Sequence, residues 1–375
     1  MHTDAGPDTG PRGRPRIALV VGTRPEIIKL GVLARILGDE AYLVHTGQHF
    51  DENLSGSFLD TFGLSRPPVR LDCVGGASQG EQFIRIIEGL WPHFAQTRPA
   101  VVVVQGDTNT AAAAAQAARF ADVPVAHVEA GLRSYDRAMP EEINRMLIGV
   151  LADLHCAPTR QAAENLLRAG TDPGSVHVTG NTVVEATVSC LPRGAEADAV
   201  LERHGLQPGR YILATVHRAE NTDDPVRLHA ILTELAKLPL PVVFPAHPRT
   251  TAAARSHGLK PALDRLSPVP PLSYGDFLAL AHHARLLVSD SGGIQEECTV
   301  LKKPLVVVRT STERPEAVEA GFAGLCDAGR EIGETCARLL ADPDLPARLA
   351  STPSPYGDGQ ASRRIAALVR SFARE

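Results

Sequence analysis

The segment Leu286-Leu287-Val288-Ser289-Asp290-Ser291-Gly292-Gly293-Ile294-Gln295-Glu296-Glu297 predicts a short buried strand, a tight polar turn and the start of a helix. Glycines let backbone N–H groups approach a phosphate, and the helix dipole favours its negative charge. Glu296 and Glu297 follow one turn later, where carboxylates can accept hydrogen bonds from ribose hydroxyls. The segment therefore indicates a site for a nucleotide diphosphate carrying a sugar, although an ordinary strand-to-helix turn would also tolerate Ser-Gly-Gly.

On both sides of this segment the chain alternates short β-rich runs with longer amphipathic stretches, the pattern of parallel sheets covered by helices. The predicted strands form one series before residue 190 and another after residue 210. They are Ile17–Val21, Ala41–Thr46, Val101–Gln105, Val125–Val128, His155–Ala157, Tyr211–Thr215, Val242–Phe244, Leu286–Ser289 and Pro304–Val308. We therefore predict two Rossmann-like units, in which ligands bind beyond the carboxyl ends of the strands.

The length of 375 residues exceeds one ordinary core and predicts two domains. The boundary is expected in the polar segment 191–209, which is punctuated by Pro and Gly and has room for a short linker helix. We expect a disordered leader over residues 1–15, a catalytic domain over 16–190 and a nucleotide-binding domain over 191–355. Residues 356–375 are expected to form a C-terminal helix that packs back on the first domain.

The composition argues against several functional classes. Hydrophobic residues make up 43% and charged residues 22%, which is typical of a soluble globular protein. The net charge of -5 gives no electrostatic signal for nucleic acid, and no apolar stretch approaches the roughly 20 residues that span a bilayer. The six cysteines lie far apart without a CxxC pair, which favours reduced thiols in a cytoplasm.

Two common nucleotide-binding motifs are absent from the sequence. It contains neither GxGxxG nor GxxxxGK[ST], which argues against a dinucleotide dehydrogenase and a P-loop NTPase. We also assign no metal site.

Polar side chains collect where the predicted strands end, while the helix interiors stay aliphatic, and this is typical of a site. Structural alternatives exist for the carboxylates. Asp107 can cap the following helix, and Glu141 can be an ordinary first-turn carboxylate. Glu129 follows an apolar strand, where a carboxylate needs a proton or a partner, so it can instead pair with Arg133 or Arg145.

Several motifs occur in order from about Arg16 to the C-terminus. They are Gly22–Glu26, Gly106–Thr108, His127–Arg133, Pro140–Arg145, Ser289–Glu297, Thr312–Glu316 and Pro355–Ala361. In this order they resemble the non-hydrolysing UDP-N-acetylglucosamine 2-epimerases.

The resemblance implies a GT-B-like α/β fold, in which two Rossmann-like domains with parallel sheets face each other across a cleft. It implies reversible epimerisation of UDP-GlcNAc to UDP-ManNAc at C2, through elimination of UDP to a 2-acetamidoglucal and readdition. It implies no cofactor and no metal. The expected partner is the UDP-sugar, with no nucleic acid and no membrane, in a cytoplasmic homodimer that associates through the first domain.

Matching motif positions imply the site residues. Asp107, Glu129 and Glu141 correspond to catalytic carboxylates, and His217 to an assisting residue. The substrate-binding positions are Arg24, Arg145, His247, Ser291, Gly292, Gly293, Glu297 and Arg314, with Arg24 and the Ser/Gly turn on the diphosphate and Glu297 on the ribose.

Many bacterial members have a second, activating UDP-GlcNAc site. Gln48, Arg218 and His247 match residues of that site. Here Gln48-His49 is followed by Phe50-Asp51-Glu52-Asn53, so the matching set is incomplete.

Three other functions share parts of this pattern. A hydrolysing 2-epimerase would release ManNAc and UDP from the same cleft, and a GT-B glycosyltransferase using a UDP-sugar would need a second, acceptor substrate. A sugar-nucleotide sensor would bind without turnover, but it has no need for Asp107, Glu129, Glu141 and His217 together. The dense carboxylate set of the first half favours the epimerase.

Overall fold

The structure is a computed structural model that describes residues 17–48, 69–71 and 78–374. The expected leader over residues 1–15 lies outside the described residues, as do His49, the segment Phe50–Asn53 and Cys73. The described chain forms two parallel sheets with helices packed around them.

Twelve strands build these sheets within the described residues. They are β1 Ile17–Val21, β2 Ala41–His45, β3 Val69–Arg70, β4 Val101–Gln105, β5 Val125–Val128, β6 Leu154–Ala157, β7 Val176–Val178, β8 Ile212–Thr215, β9 Val242–Val243, β10 Leu286–Ser289, β11 Leu305–Val308 and β12 Ala323–Cys326. Every predicted strand is present with bounds shifted by at most one residue at either end.

The α-helices of the described residues are α1 Arg24–Leu37, α2 Gln79–Thr97, α3 Asn109–Phe120, α4 Pro140–Leu151, α5 Arg160–Arg168, α6 Val183–Cys190, α7 Ala195–Arg203, α8 Ala219–Thr222, α9 Pro225–Leu235, α10 Pro248–Ser256, α11 Lys260–Asp264, α12 Tyr274–His283, α13 Gly292–Leu301, α14 Pro315–Glu319, α15 Arg330–Ala341, α16 Leu345–Ser351 and α17 Ala361–Phe372. Short 3-10 turns lie at Gly38–Glu40 and Pro173–Ser175. None of the described helices is long and apolar enough to cross a membrane.

The order of the strands places the site. The first sheet runs β3-β2-β1-β4-β5-β6-β7, and the second runs β12-β11-β10-β8-β9. In each sheet the chain first moves outward and then returns to the other side of its first strand, which creates a switch point between β1 and β4 and another between β8 and β10. Loops diverge at such a point and leave a crevice for a ligand.

The first sheet is buried on both faces, so its central strands are continuous apolar runs. Ile17, Leu19 and Val21 of β1 belong to a core that includes α1 residues. Ala18 and Val20, which point the opposite way, pack in a second core with the alanines of α3. These two cores hold the strand ends, and thereby the loops that follow them, in fixed positions.

The two sheets meet through α6 and the C-terminal segment. Helix α6 packs against α1 as well as α12 and α13, and α17 packs against α1. Arg370 of α17 binds Glu40, with Nη2 at 2.6 Å from Oε1, and Ser362 N donates to Glu185 of α6 at 2.9 Å. The limits proposed for the domains, at residues 190/191 and 355/356, stay predictions.

Candidate functional site

A cavity of about 350 Å³ lies at the strand ends of both sheets. All the predicted site residues line it except His247 and Gln48. A larger cavity of about 880 Å³ lies over α4 and α5, but its walls contain none of the predicted site residues. The smaller cavity is therefore the candidate active site.

The loop after β1 is anchored by Glu26, whose side chain is completely buried. Its carboxylate accepts hydrogen bonds from Gly22 N at 2.9 Å and Thr23 N at 2.7 Å. It also accepts a bond from the hydroxyl of Thr108, in the loop after β4, at 2.6 Å. Burial raises the pKa of Glu26 to about 7. Glu26 thus ties together the two loops of the first switch point.

Arg24 begins α1 and projects toward the second half of the chain. Its guanidinium lies 5.8 Å from the centre of the Tyr274 ring, and burial lowers its pKa. Arg24 lines the same cavity as Ser291, Gly292 and Gly293, and its role on a diphosphate stays a prediction.

Asp107 follows β4, but it does not cap the next helix. Thr108 is the N-cap of α3, and its hydroxyl accepts a hydrogen bond from Ala111 N at 3.0 Å. The carboxylate of Asp107 instead forms an ion pair with Arg145 Nη1. Arg145 is in turn fixed by Glu142, whose Oε2 accepts from Arg145 Nε at 2.8 Å. The Asp107 carboxylate is therefore held in place at the edge of the cavity.

Glu129 follows β5 in the left-handed region, with φ of 65°, which is a strained conformation for a residue with a side chain. It is 6% exposed. The alternative that it pairs with Arg133 or Arg145 is wrong, because the cations that bind it are Lys29 and Arg314. Glu129 combines burial, ion pairing and contact with the cavity.

Glu141 lies in the first turn of α4 with an exposed side chain that borders the cavity. This position fits a first-turn carboxylate and a catalytic group equally well, so its catalytic role stays a prediction.

His217 and Arg218 follow β8 and are positioned by Asp290, which follows β10. Asp290 Oδ2 accepts from His217 N at 3.0 Å and from Arg218 N at 2.9 Å. Burial lowers the pKa of His217, and the negative charge of Asp290 opposes that shift. The imidazole lies at the second switch point, where it borders the cavity.

His247 and Gln48 lie just outside the cavity wall. The His247 ring is 5.1 Å from the His217 ring, and its Nδ1 accepts from Arg249 N at 3.1 Å, as the N-cap of α10. Gln48 accepts from Thr110 N at 2.9 Å and so braces the start of α3. Both residues support neighbours of the site, and their roles in binding a nucleotide sugar stay predictions.

The Ser/Gly turn has the predicted form, since α13 begins at Gly292 with Ser291 as its N-cap. Glu297 accepts a hydrogen bond from the Tyr274 hydroxyl at 2.9 Å, and burial raises its pKa to about 7. The expectation that Glu296 also meets a ribose is wrong, because its side chain is fully buried and binds Lys29 and Arg314. Arg314, predicted to bind substrate, holds Glu129, Glu296 and Glu313.

Two residues of the site were missed by the sequence analysis. Lys29 lies within the apolar run Ile27–Leu30 of α1, where a lysine 6% exposed requires a partner; that mismatch was the available signal. Tyr274 begins α12, which follows no strand, so nothing local marked it as a partner of Glu297.

Comparisons with known proteins agree with this geometry. A family model described as UDP-N-acetylglucosamine 2-epimerase matches residues 37–370. The UDP-N-acetylglucosamine 2-epimerase of Methanococcus maripaludis is 35% identical over 364 residues, covering 94% of this chain and 98% of that protein. The UDP-2,3-diacetamido-2,3-dideoxy-D-glucuronate 2-epimerase of Pseudomonas aeruginosa is 36% identical over 360 residues, covering 94% of this chain and 98% of that protein.

A solved structure has the same fold. The Methanocaldococcus jannaschii UDP-GlcNAc 2-epimerase in complex with UDP-GlcNAc and UDP matches with a TM-score of 0.87 and 35% identity, covering 95% of this chain and 99% of that one. The predicted GT-B-like α/β fold is thereby confirmed. On the family model, the identities and this structural match, the chain belongs to the UDP-N-acetylglucosamine 2-epimerase family.

Proposed function

We propose that this chain interconverts UDP-GlcNAc and UDP-ManNAc by epimerising the sugar at C2. The observation that carries the proposal is one cavity in which Asp107, Glu129 and Glu141 face the Ser291–Gly293 turn across the strand ends of the two sheets. The family assignment supports it, as does the similarity to a structure in complex with UDP-GlcNAc and UDP.

The proposed reaction begins with departure of UDP, because no adjacent carbonyl acidifies the proton at C2. The C1–O bond breaks, its electron pair stays on the β-phosphate oxygen, and positive charge develops at C1. A carboxylate removes the C2 proton, and the C1=C2 double bond of a 2-acetamidoglucal forms. Delivery of a proton to the opposite face of C2 and attack of UDP oxygen at C1 complete the inversion.

The chain supplies groups for each requirement of this route. Carboxylates next to the ring stabilise charge at C1 and move the C2 proton, roles that we assign to Asp107, Glu129 and Glu141. His217 assists them. Arg24 and the N–H groups of the Ser291–Gly293 turn hold the diphosphate as negative charge develops on it.

The test is proton NMR of UDP-GlcNAc with the purified protein in deuterated water. We expect deuterium at C2 together with formation of UDP-ManNAc and no free ManNAc. Glu129→Gln is expected to abolish the exchange, whereas Asp153→Asn, in a half-exposed pair with Arg119, serves as the control and should leave it unchanged. Free UDP and ManNAc in proportion would indicate hydrolysis instead, and absence of C2 exchange would contradict the proposal.

We also propose that the protein is a homodimer that associates through its first half. Ile143, Met146 and Val150 form an exposed apolar stripe along α4, with Val150 85% exposed. Ile84 and Trp91 are exposed on α2. Large apolar side chains grouped in this way are typical of a surface that a partner covers.

A further inference from the structure

A cluster of four buried charges lies where the two halves of the chain meet. Lys29 and Glu129 come from the first half, and Glu296 and Arg314 come from the second. Their side chains are 8%, 4%, 0% and 7% exposed, respectively. Asn181 bridges the two carboxylates, donating to Glu296 Oε1 at 3.1 Å and to Glu129 Oε2 at 3.4 Å.

Each carboxylate of the cluster touches both cations. Lys29 Nζ contacts Oε2 of Glu129 and lies 2.9 Å from Oε2 of Glu296. Arg314 Nη2 lies 3.2 Å from Oε1 of Glu129, and its Nε lies 2.7 Å from Oε1 of Glu296. The two carboxylates therefore compete for the same pair of positive charges.

The two carboxylates differ in one respect that matters for chemistry. Glu129 borders the cavity, whereas Glu296 does not. Of these two carboxylates, only Glu129 can therefore exchange a proton with a bound sugar. Without the charge of Glu296, Lys29 would keep Glu129 as its ion-pair partner, and Arg314 would keep Glu129 and Glu313. Both cations would then act more strongly on Glu129 and hold it as a more weakly basic carboxylate, since opposite charges at this distance favour the ionised form.

We propose that Glu296 is a positioning residue that keeps Lys29 and Arg314 engaged, so that Glu129 remains basic enough to take the C2 proton. This inference rests on the proposed function, because it assigns Glu296 a part in the same reaction. It gives the second half of the chain control over a proton transfer that occurs on the first half.

The electrostatic surroundings of Glu129 support this role. Burial raises the pKa of Glu129, and the charge of Glu296 raises it further, against the opposing effects of Lys29 and Arg314. Gln105 also donates to Glu129, at 3.0 Å.

The surroundings of Glu296 act in the opposite direction. Burial disfavours its ionised form, but Arg314 and Lys29 outweigh burial and lower its pKa. Glu297, Cys298 and the buried Tyr356 are further titratable groups close to Glu296. A higher pKa makes Glu129 the better proton acceptor of the two carboxylates.

The experiment is the pH dependence of kcat for wild type and Glu296→Gln in both directions of the reaction. The limb that reports Glu129 is expected to move to lower pH by on the order of one unit. In the reaction direction in which Glu129 takes the proton, this limb is the acidic one. In the direction in which Glu129 gives the proton, this limb is the alkaline one. We expect kcat to fall about 10-fold with KM within about 3-fold, because only proton transfer is affected.

The control is Glu185→Gln, which removes a half-buried carboxylate that binds Ser362 and lies outside the cavity; it should leave the limbs in place. A merely structural role for Glu296 would lower kcat at every pH without moving a limb, and that result overturns the inference. If Glu296→Gln does not fold, Glu296→Asp is used, because its shorter carboxylate retreats from Lys29. A smaller shift in the same direction is expected, and an unshifted limb again overturns the inference.

The two proposals fail separately. A wild-type protein that leaves C2 unexchanged contradicts the proposed function. An active wild type with unmoved limbs in the variant contradicts only the role of Glu296.

Discussion

Arg145 connects the carboxylate of Asp107 to a buried neighbour. Its guanidinium binds Asp107 with Nη1 and Glu142 with Nε, while Nη2 reaches the Ser134 hydroxyl at 3.3 Å. Only a planar fork can make these contacts at once, so a lysine cannot replace it.

We therefore expect Arg145→Lys to reduce kcat by about 100-fold with a smaller change in KM, because it would misplace Asp107, which we propose to be catalytic, and such a misplacement costs about this much. Steady-state kinetics with UDP-GlcNAc would measure it. Arg119→Lys changes a half-exposed arginine that binds Asp153 and serves as the matched control. An equal decrease of kcat in both variants would contradict the role of Arg145 in positioning Asp107.

His127 is a buried strand residue whose Nε2 lies 2.8 Å from the carbonyl oxygen of Gly106. Burial lowers its pKa to about 3. Below pH 6.5 the unfolded chain binds a proton at this imidazole and the folded chain does not. The free energy of unfolding should therefore decrease as the pH is lowered through this range, by about 1.4 kcal/mol per pH unit.

His127→Gln keeps an N–H group for the carbonyl but has no imidazole to protonate. When the pH is lowered from 7 to 5, we expect its free energy of unfolding to decrease by about 2 kcal/mol less than that of wild type. Urea unfolding at the two pH values gives the difference. The exposed His229 provides the control substitution, His229→Gln. An equal loss in wild type and His127→Gln would contradict the assignment.

At the residue scale, the sequence predicted the groups that follow strands, because parallel strand ends meet at one edge of a sheet. It did not predict the partners of those groups. Lys29 and Glu129 are separated by 100 positions, and such a pairing depends on how α1 lies against the sheet. The sequence could not distinguish the role of Glu296 from that of Glu297. The two glutamates are adjacent on α13, and their surroundings differ only because the packed helix turns them in different directions.

At the scale of elements, the first turn of α13 contains two glycines with different surroundings. A Cβ atom on Gly292 would lie 2.5 Å from Arg314 Nη1, whereas one on Gly293 would have no neighbour closer than 3.9 Å. Arg314 cannot move aside freely, because it binds three carboxylates.

We expect Gly292→Ala to destabilise the protein by about 1–3 kcal/mol through overcrowding and to weaken UDP binding. Gly293→Ala is the matched variant and should be as stable as wild type or slightly more so, since alanine favours helix. Urea unfolding and calorimetric titration with UDP would test both. Equal stability of the two variants would contradict the packing described for Arg314.

The strands that the sequence analysis missed are β3, β7 and β12, and each lies at the edge of its sheet. An edge strand is covered less completely than a central one, so its sequence does not form a continuous apolar run. All three residues of β7 are at least partly exposed. The central strands, buried on both faces, were predicted because their composition is determined by burial alone.

At the scale of the whole molecule, the homodimer proposal gives a test that does not involve the cavity. We expect Val150→Glu to halve the molecular mass seen by light scattering after gel filtration, because a charge at the centre of an apolar interface is costly to bury. Val226→Glu, at a residue 77% exposed on α9 in the second half, should leave the mass unchanged. An unchanged mass for Val150→Glu would place any association elsewhere.

The contact between α17 and α1 has a consequence for biosynthesis. Arg370 and Glu40 are 330 positions apart, so a ribosome adding about 5–20 residues per second needs roughly 15–70 s to produce α17 after α1. During that time the nascent chain presents the uncovered side of α1 to its surroundings. Chaperones that recognise apolar helix faces therefore have a defined window in which to bind it, and the window closes only when α17 has packed against α1.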